Sequence, residues 1–391
     1  MGGMLASPAV TKRFGLVVLL FVASELGPAD GLVPADGAAA AASPKGVARS
    51  ADARGWGPPH LFKDGKEGLR DLPSRLTNQE FWRLVSDSSE PGGYFRGQDI
   101  TNLTSNELWF QYVIPDLVTR ARQNRVYLGV GPEQNFTYMA ALKPTMAIIF
   151  DIRRGNLDLQ LMYKAIFELS KDRGDFVSML FSKPRPTGLG PSSTADQLFT
   201  AFSTSGTSEP SFTTNLAAIE NQLTKTHGFE LASHNDLAGV RAIYQTFYWS
   251  GFNVRPSPNY VELMTATDAT GLGRSYLASE ADFNVVKDLE SRNLVIPIVG
   301  DFGGPKAIRA VAAYLKSIGG LVSAFYLSNV EQYLYQEGKW DSFCRNVAAL
   351  PLDETSTFIR SSNSGGFGRG GGFVSSLGAM ADEVKACARQ P

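Results

Sequence analysis

Cysteine and histidine are scarce in this 391-residue chain, which contains two cysteines and three histidines. Two cysteines cannot form a cysteine-based zinc cluster, and His60, His227 and His234 are too scattered in sequence for a histidine-rich metal site. We therefore predict no metal centre. Two interpretations of Cys344 and Cys387 stay open: a disulfide if the chain is exported, or two unrelated free thiols.

A surplus of charge of either sign is also missing. The chain has 37 Lys and Arg against 38 Asp and Glu, and its net charge of -1 gives no field that would attract nucleic acid or an anionic membrane. No Gly-x-Ser-x-Gly motif occurs, and no histidine lies near a convincing nucleophile, so the sequence gives little support for a hydrolase. We expect the partner to be a small-molecule ligand and not nucleic acid.

The N-terminal region has an apolar run that is too short to span a bilayer as a helix. Lys12 and Arg13 precede this run at residues 14–23, and small residues follow it, a pattern typical of a signal peptide. Residues 1–24 are thus a predicted leader, and no stable membrane anchor is expected after its removal. The protein would then be periplasmic or extracellular; if the segment has no targeting value, it is cytoplasmic. Residues 25–71, rich in Ala, Gly and Pro, are predicted to be a disordered linker.

Residues 72–361 alternate apolar runs with amphipathic segments, which favours an α/β, Rossmann-like domain with a mostly parallel sheet and helices on both faces. The predicted strands are residues 126–130, 146–150, 260–265, 294–299, 321–327 and 356–359. The predicted helices are residues 78–84, 106–122, 157–169, 216–223, 236–249 and 280–292, the second one kinked at Pro115. A helical and loop insertion is predicted at about residues 184–258, and residues 362–391 contain a glycine-rich segment and a C-terminal helix.

Residues 125–154 hold the densest set of site signals. An apolar strand, residues 126–130, runs into the turn Gly129-Val130-Gly131-Pro132, and a helix with Asn135 as its predicted N-cap follows. A second apolar run ends at Asp151. The first turn is expected to offer backbone N–H groups and a helix N-terminus to a ligand.

The spacing within this stretch is typical of nucleotide sites. Asp151 lies twenty residues after Gly131, the separation at which a carboxylate at the tip of the second strand accepts hydrogen bonds from a ribose. In a full dinucleotide fingerprint, glycine would replace Gln134. The alternative is a glycine turn that only reverses the chain.

Polar residues also follow the other predicted strands. Asp268, Asp301 and Asn329 stand at strand ends, with Glu331 just beyond, and in a parallel sheet such ends meet at one edge. Turns use these residue types for conformational reasons as well, which is the alternative. We predict a substrate site formed by Asp301, Asn329 and Glu331.

Four segments of the chain together resemble an uncharacterised bacterial family that has a Rossmann-like fold similar to class I S-adenosylmethionine-dependent methyltransferases. They are residues 127–154, residues 263–289 with Tyr276-Leu277-Ala278-Ser279-Glu280, the turn Val299-Gly300-Asp301-Phe302, and residues 325–334. The resemblance spans roughly residues 76–361. It implies a methyltransferase-like fold and S-adenosylmethionine as the cofactor.

The resemblance also implies roles for single residues. Gly129 and Gly131 correspond to the methyltransferase glycine loop and Asp151 to its ribose-binding acid, whereas Tyr127 and Glu133 replace an acid and a third glycine of that pattern. Independently of the resemblance, Arg153 and Arg154 follow the second strand and are expected either to hold an anionic ligand or to pair with Asp158 or Asp175. The predicted cofactor site comprises Gly129, Gly131, Glu133, Asn135, Asp151 and Arg153.

Two functions follow as expectations. The first is a methyltransferase-like enzyme that acts on a small acceptor, for which alignment of the reactants is the main requirement. The second is an exported protein, non-catalytic or differently catalytic, that binds a nucleotide-like or anionic ligand in the same crevice.

Overall fold

Six strands form one sheet in the computed structural model, which describes residues 72–94, 102–232, 234–363 and 372–387. The strands are β1 Val126–Val130, β2 Met146–Asp151, β3 Val295–Val299, β4 Val322–Ser328, β5 Thr357–Asn363 and β6 Phe373–Ala379. The predicted leader, the predicted linker and residues 364–371 of the glycine-rich segment lie outside the described residues. The α/β class predicted from the sequence is confirmed.

The strand order is β3-β2-β1-β4-β5-β6, and only β6 runs antiparallel to its neighbour. This is the order of a doubly wound, Rossmann-like sheet. Val130 pairs with Phe150, and Asp151 pairs with Val299, so β1, β2 and β3 end at nearly the same level. Their polar ends therefore share one edge, as the sequence predicts.

Fourteen α-helices surround the sheet in the described residues. They are α1 Asn78–Ser88, α2 Ile114–Arg120, α3 Gln134–Leu142, α4 Arg154–Leu169, α5 Arg173–Leu180, α6 Ala195–Ser203, α7 Glu209–Asn221, α8 Asp236–Ser250, α9 Tyr260–Thr265, α10 Glu280–Ser291, α11 Ala307–Ser317, α12 Val330–Gln336, α13 Trp340–Ala348 and α14 Met380–Cys387. Two 3₁₀-helices, Phe110–Val113 and Gly251–Asn253, and a π-helix, Gln222–Thr226, complete the set.

The helices form two groups on opposite faces of the sheet. Helices α3, α4 and α10, which connect β1 to β2 and β2 to β3, pack against one another. Helix α11 returns the chain from β3 to β4 and packs with α1 and α13. Because parallel crossovers are right-handed, reversing the direction of travel moves α11 to the other face. The strands β1, β2 and β3 are consequently buried between the two groups.

Capping explains where several helices begin. Thr77 caps α1, and Glu80 completes a capping box with it, so the helix predicted at residues 78–84 is present and extends to Ser88. The segment 106–122 splits into the 3₁₀-helix Phe110–Val113 and α2, as expected from Pro115, which lies in the first turn of α2.

One predicted strand is wrong. Residues 260–265 form α9, because Asn259 accepts a hydrogen bond from the Glu262 N–H while the Glu262 side chain accepts from the Asn259 N–H. This reciprocal cap favours a helix over the extended form that Val261 and Thr265 suggest. The connection from β2 to β3 thus contains the helices α4 to α10 and the loops between them.

Candidate functional site

A cavity of about 210 Å³ opens at the carboxyl ends of β1 to β4. We call it the switch-point cavity, because it lies where β1 pairs with β2 on one side and with β4 on the other, so that the strand order reverses. Doubly wound sheets bind their ligands at this place. The volume is far above the ~10–15 Å³ that one water molecule needs, so a small-molecule ligand can enter.

The cavity includes some of the predicted site residues and leaves out others. Those that line it are Gly131, Asp151, Arg153, Asp301 and Asn329. Those that do not line it are Gly129, Glu133, Asn135 and Glu331. The difference follows from the contacts that each side chain makes.

Gly129 is needed for packing inside the protein. A Cβ at this position would lie 1.9 Å from Oδ1 of Asn135 and 2.9 Å from the hydroxyl of Tyr127. Asn135 approaches closely because its Nδ2 donates to the carbonyl oxygens of Val130 and Pro132 at 2.9 and 2.7 Å. The sequence-based assignment of Asn135 as N-cap is therefore wrong, because Asn135 lies inside α3, whose N-cap is Glu133. The Asn135 side chain instead stabilises the turn through its hydrogen bonds to the turn carbonyls.

Gly131 faces the cavity and has a positive φ of +79°, a conformation that favours glycine. A Cβ built there would have no atom within 4 Å. The backbone N–H of Gly131 donates to the carbonyl of Phe150, and its carbonyl accepts from Nε2 of Gln160 at 3.0 Å. The prediction that this turn offers its N–H groups to a ligand is thus wrong for Gly131, and Pro132 has no N–H to offer.

Asp151 and Arg153 form a buried ion pair at the tip of β2. Oδ1 of Asp151 accepts from the backbone N–H and Nε of Arg153, and Oδ2 accepts from Nη2 at 2.7 Å. Arg154 pairs with Asp236, so the ion pairs seen for the two arginines are with Asp151 and Asp236 instead of the predicted Asp158 and Asp175. Because Oδ2 has one donor among the described residues, it keeps a lone pair for a ligand hydroxyl.

Asp301 lies at the end of β3 and lines the opposite side of the cavity. Its Oδ1 accepts from the Gly303 N–H, and its Oδ2 lies 2.7 Å from Nζ of Lys339. The same Nζ lies 2.7 Å from Glu337, a second carboxylate of the cavity lining. Lys339 therefore partly neutralises two acids at the cavity mouth.

Glu331 points away from the cavity, although it belongs to α12, which forms one wall. Its carboxylate pairs with Arg360 at 2.7 Å, and Arg360 also binds Glu383 of α14. The α12 residues in the lining are Val330, Tyr333 and Leu334, which make that wall largely apolar. Asn329 therefore lines the cavity, whereas Glu331 does not.

Asp268 does not join the strand tips, contrary to the sequence-based expectation. It follows helix α9, and its carboxylate binds Thr270, the Leu272 N–H and Arg274 within its own loop. The Thr270 hydrogen bond and the neighbouring Arg274 hold the pKa of Asp268 well below its usual range. The residue is a loop cap and not part of the cavity.

Glu133 is completely buried behind the glycine turn. Both carboxyl oxygens accept from the backbone N–H of Ser105, at 3.0 and 3.2 Å. Burial raises the pKa of Glu133 to about 7, although the Ser105 hydrogen bond lowers it. The side chain therefore supports the segment that covers the cavity and does not itself reach a ligand.

Glu107 is a buried centre of the site that the sequence did not single out. It accepts hydrogen bonds from Ser328 at 2.5 Å, from Nε2 of Gln134 at 2.9 Å, and from the hydroxyl of Ser361. It thereby ties the ends of β4 and β5 to the first turn of α3. Its only sequence signal is a carboxylate in a polar loop, which gives no indication of burial.

Among the described residues, no group of three or more His, Cys, Asp or Glu side chains could hold a metal ion. His227 instead lies between Glu168 and Asn78, with its ring nitrogens 2.6 and 2.9 Å from their oxygens. No helix in the described part of the chain is both long and apolar enough to cross a membrane.

The sheet and its cavity together define an α/β protein of Rossmann-like topology with a cavity at the switch point, where sheets of this kind bind ligands. The chain belongs to the family described as "Domain of unknown function (DUF7790)", whose model matches residues 100–188 and 211–379. The matched segments include all six strands and the predicted site residues. No curated protein matches the chain.

Proposed function

We propose that the protein binds a neutral or cationic, nucleoside-type molecule in the switch-point cavity, and that S-adenosylmethionine is the cofactor of a methyl transfer to a small acceptor. The observation that carries this proposal is the charge of the cavity lining at the reversal of the strand order. Asp151, Asp301 and Glu337 supply three carboxylates, whereas two cationic side chains balance them: Arg153, which pairs with Asp151, and Lys339, which pairs with Asp301 and Glu337. The acids therefore keep a surplus of one negative charge.

Charge separates the candidate ligands. Phosphate groups of NAD or ATP would meet these carboxylates. The N-terminus of α3, where an anion would otherwise bind, begins at the buried Glu133 as its N-cap residue. The N–H of Gly131 already donates to Phe150. A ligand with hydroxyl and ammonium donors avoids both difficulties, since carboxylate oxygens are acceptors.

The residues present fit an adenosylmethionine-type ligand. Oδ2 of Asp151 has a lone pair left for a ribose hydroxyl, and the open space beside Gly131 admits a ligand close to the backbone. When bound, S-adenosylmethionine supplies an electrophilic methyl group. Asp301, Ser328 and Asn329, at the ends of β3 and β4, would orient the acceptor, and correct orientation is the main contribution that a protein makes to such a reaction.

Calorimetry and thermal unfolding with a ligand panel test the proposal. S-adenosylmethionine, S-adenosylhomocysteine and adenosine should bind and raise the Tm, because a ligand at a hundred times its Kd adds about 2.7 kcal/mol to stability. NAD and ATP should bind more weakly. Asp301→Asn should impair acceptor turnover. Glu220→Gln is a matched control, because Glu220 is a half-buried partner of the exposed Arg241 and does not line the cavity. Preferential binding of NAD or ATP would contradict the proposal.

A specific observation favours the second candidate, an exported binding protein. Cys344 and Cys387 form a disulfide with a Cα–Cα distance of 5.9 Å, which joins α13 to α14. Structural disulfides persist mainly in oxidising, extracytoplasmic compartments. Non-reducing mass spectrometry of protein from fractionated native cells would decide: an oxidised, N-terminally shortened chain outside the cytoplasm favours this candidate, and a reduced cytoplasmic chain excludes it.

A further inference from the structure

Thr104 lies on the segment that covers the switch-point cavity, and its hydroxyl has no hydrogen-bond partner within the described residues. The side chain is 3% exposed and contributes to the cavity lining. Its Oγ1 is buried and makes no hydrogen bond to a described residue. Buried hydroxyls almost always have a partner, so an unpaired one that lines a cavity indicates that a partner comes from outside the chain.

The neighbouring residues prevent Thr104 from finding a partner by moving. The N–H of Ser105 donates to both carboxyl oxygens of Glu133, and the hydroxyl of Ser105 binds Oε1 of Gln134. The N–H of Glu107 donates to the Ser105 hydroxyl at 3.1 Å. These hydrogen bonds fix the backbone directly after Thr104, which keeps the residue in the cavity lining.

The charges near this segment restrict the group that can bind. An anionic group would approach Glu107 and Glu133, the two buried acids bonded to this segment. A cationic group would find neither carboxylate accessible, because both side chains are buried and engaged by Ser105, Gln134 or Ser328. An uncharged polar group is neither repelled by the buried acids nor left as a buried charge without a partner.

We propose that Thr104 forms a ligand subsite in which its hydroxyl bonds an uncharged polar group of the ligand, such as a hydroxyl, an amide or a heterocyclic nitrogen. This subsite extends the proposed function, since the sugar and base of a nucleoside carry groups of this kind. Thr104 is thus a ligand-binding residue, additional to Asp151 and Gly131.

Two variants test the subsite. Thr104→Val keeps the shape of the side chain and removes the hydroxyl, while Thr104→Ser keeps the hydroxyl and is the matched control. In the absence of ligand, Thr104→Val should unfold at the same temperature as the wild type or roughly 1 to 4 °C higher, because it removes an unpaired buried hydroxyl. Adenosine should bind Thr104→Val about three- to tenfold more weakly than the wild type, and Thr104→Ser within about twofold.

The outcomes separate the subsite from the proposed function. If Thr104→Val lowers the Tm while Thr104→Ser does not, the hydroxyl has a partner in the free protein and the subsite is refuted. Unchanged adenosine affinity in Thr104→Val refutes it as well. If the wild type binds no nucleoside at all, the proposed function fails; the subsite then stands only if the ligand-free Tm of Thr104→Val is not lowered and imidazole or acetamide perturbs the wild type by NMR but not Thr104→Val.

Discussion

Asp151 and Arg153 contact each other through two parallel hydrogen bonds at the tip of β2, with Oδ2 of Asp151 2.7 Å from Nη2 of Arg153 and Oδ1 3.0 Å from Nε. Both side chains are buried, at 8% and 3% exposure. A strand-tip acid that serves only to bind a ligand would have no ion-pair partner in the protein. This one also organises the crevice, because it holds an arginine that lines the same cavity.

Asp151→Ala should therefore destabilise the protein as well as weaken ligand binding. Removing one partner of a buried ion pair typically costs about 3 to 5 kcal/mol, and we expect the lower end because Arg153 has further contacts. Chemical denaturation measures the loss. The double variant Asp151→Ala/Arg153→Met should recover part of it, since no buried charge is then left behind. Unchanged stability of Asp151→Ala would show that the pair contributes nothing to the fold.

The two glycines of the first turn should respond very differently to alanine. Gly129→Ala forces a Cβ against Asn135 and should destabilise the protein by about 3 kcal/mol, whereas Gly131→Ala meets no atom and should lose only about 1 kcal/mol through its positive φ. Urea unfolding of both variants provides the comparison. Combining Gly129→Ala with Asn135→Ala should give a smaller loss than the sum of the single variants. Equal losses at the two glycines would contradict this assignment.

Stability should decrease as the pH rises from about 4.5 to about 8. Burial raises the pKa of Glu133 from 4.5 to about 7 and that of Glu290 from 4.5 to about 8. In this window the folded protein keeps protons that the unfolded chain releases, so folding becomes less favourable as the pH increases. For Glu133 alone the loss is roughly 3 kcal/mol.

Glu133→Gln isolates this contribution. Glutamine keeps an oxygen acceptor for the Ser105 N–H but does not titrate. Relative to the wild type, the free energy of unfolding of the variant should therefore be higher at pH 8 than at pH 5. Denaturation curves at both pH values measure the difference. A pH-independent difference between the two proteins would show that Glu133 does not titrate in this range.

Reduction of the Cys344–Cys387 disulfide should lower the free energy of unfolding by about 4 kcal/mol. The two cysteines are 43 residues apart, and in the chain-entropy description a closed loop of this length restricts the unfolded chain by that amount. Thermal unfolding with and without dithiothreitol measures the effect. The variant Cys344→Ser/Cys387→Ser should have the Tm of the reduced wild type, and dithiothreitol should not change it. An identical Tm for oxidised and reduced wild type would contradict the prediction.

The sequence was most informative where local chemistry and burial agree. The strands at residues 126–130, 146–150 and 294–299 could be predicted because strands buried on both faces of a parallel sheet are continuous apolar runs. Residues 260–265 show the opposite case. Their composition suggests a strand, but the cap formed by Asn259 and Glu262 decides for a helix.

What the sequence determined by itself is the edge at which the site forms. Parallel strands share one carboxyl edge, so Gly131, Asp151 and Asp301 had to meet there. Only the tertiary structure decided which side chains face the cavity. Glu331 pairs with Arg360, and the carboxyl of Glu133 accepts from the Ser105 N–H. Buried polar side chains orient toward a hydrogen-bond partner, and here each partner comes from a distant part of the chain.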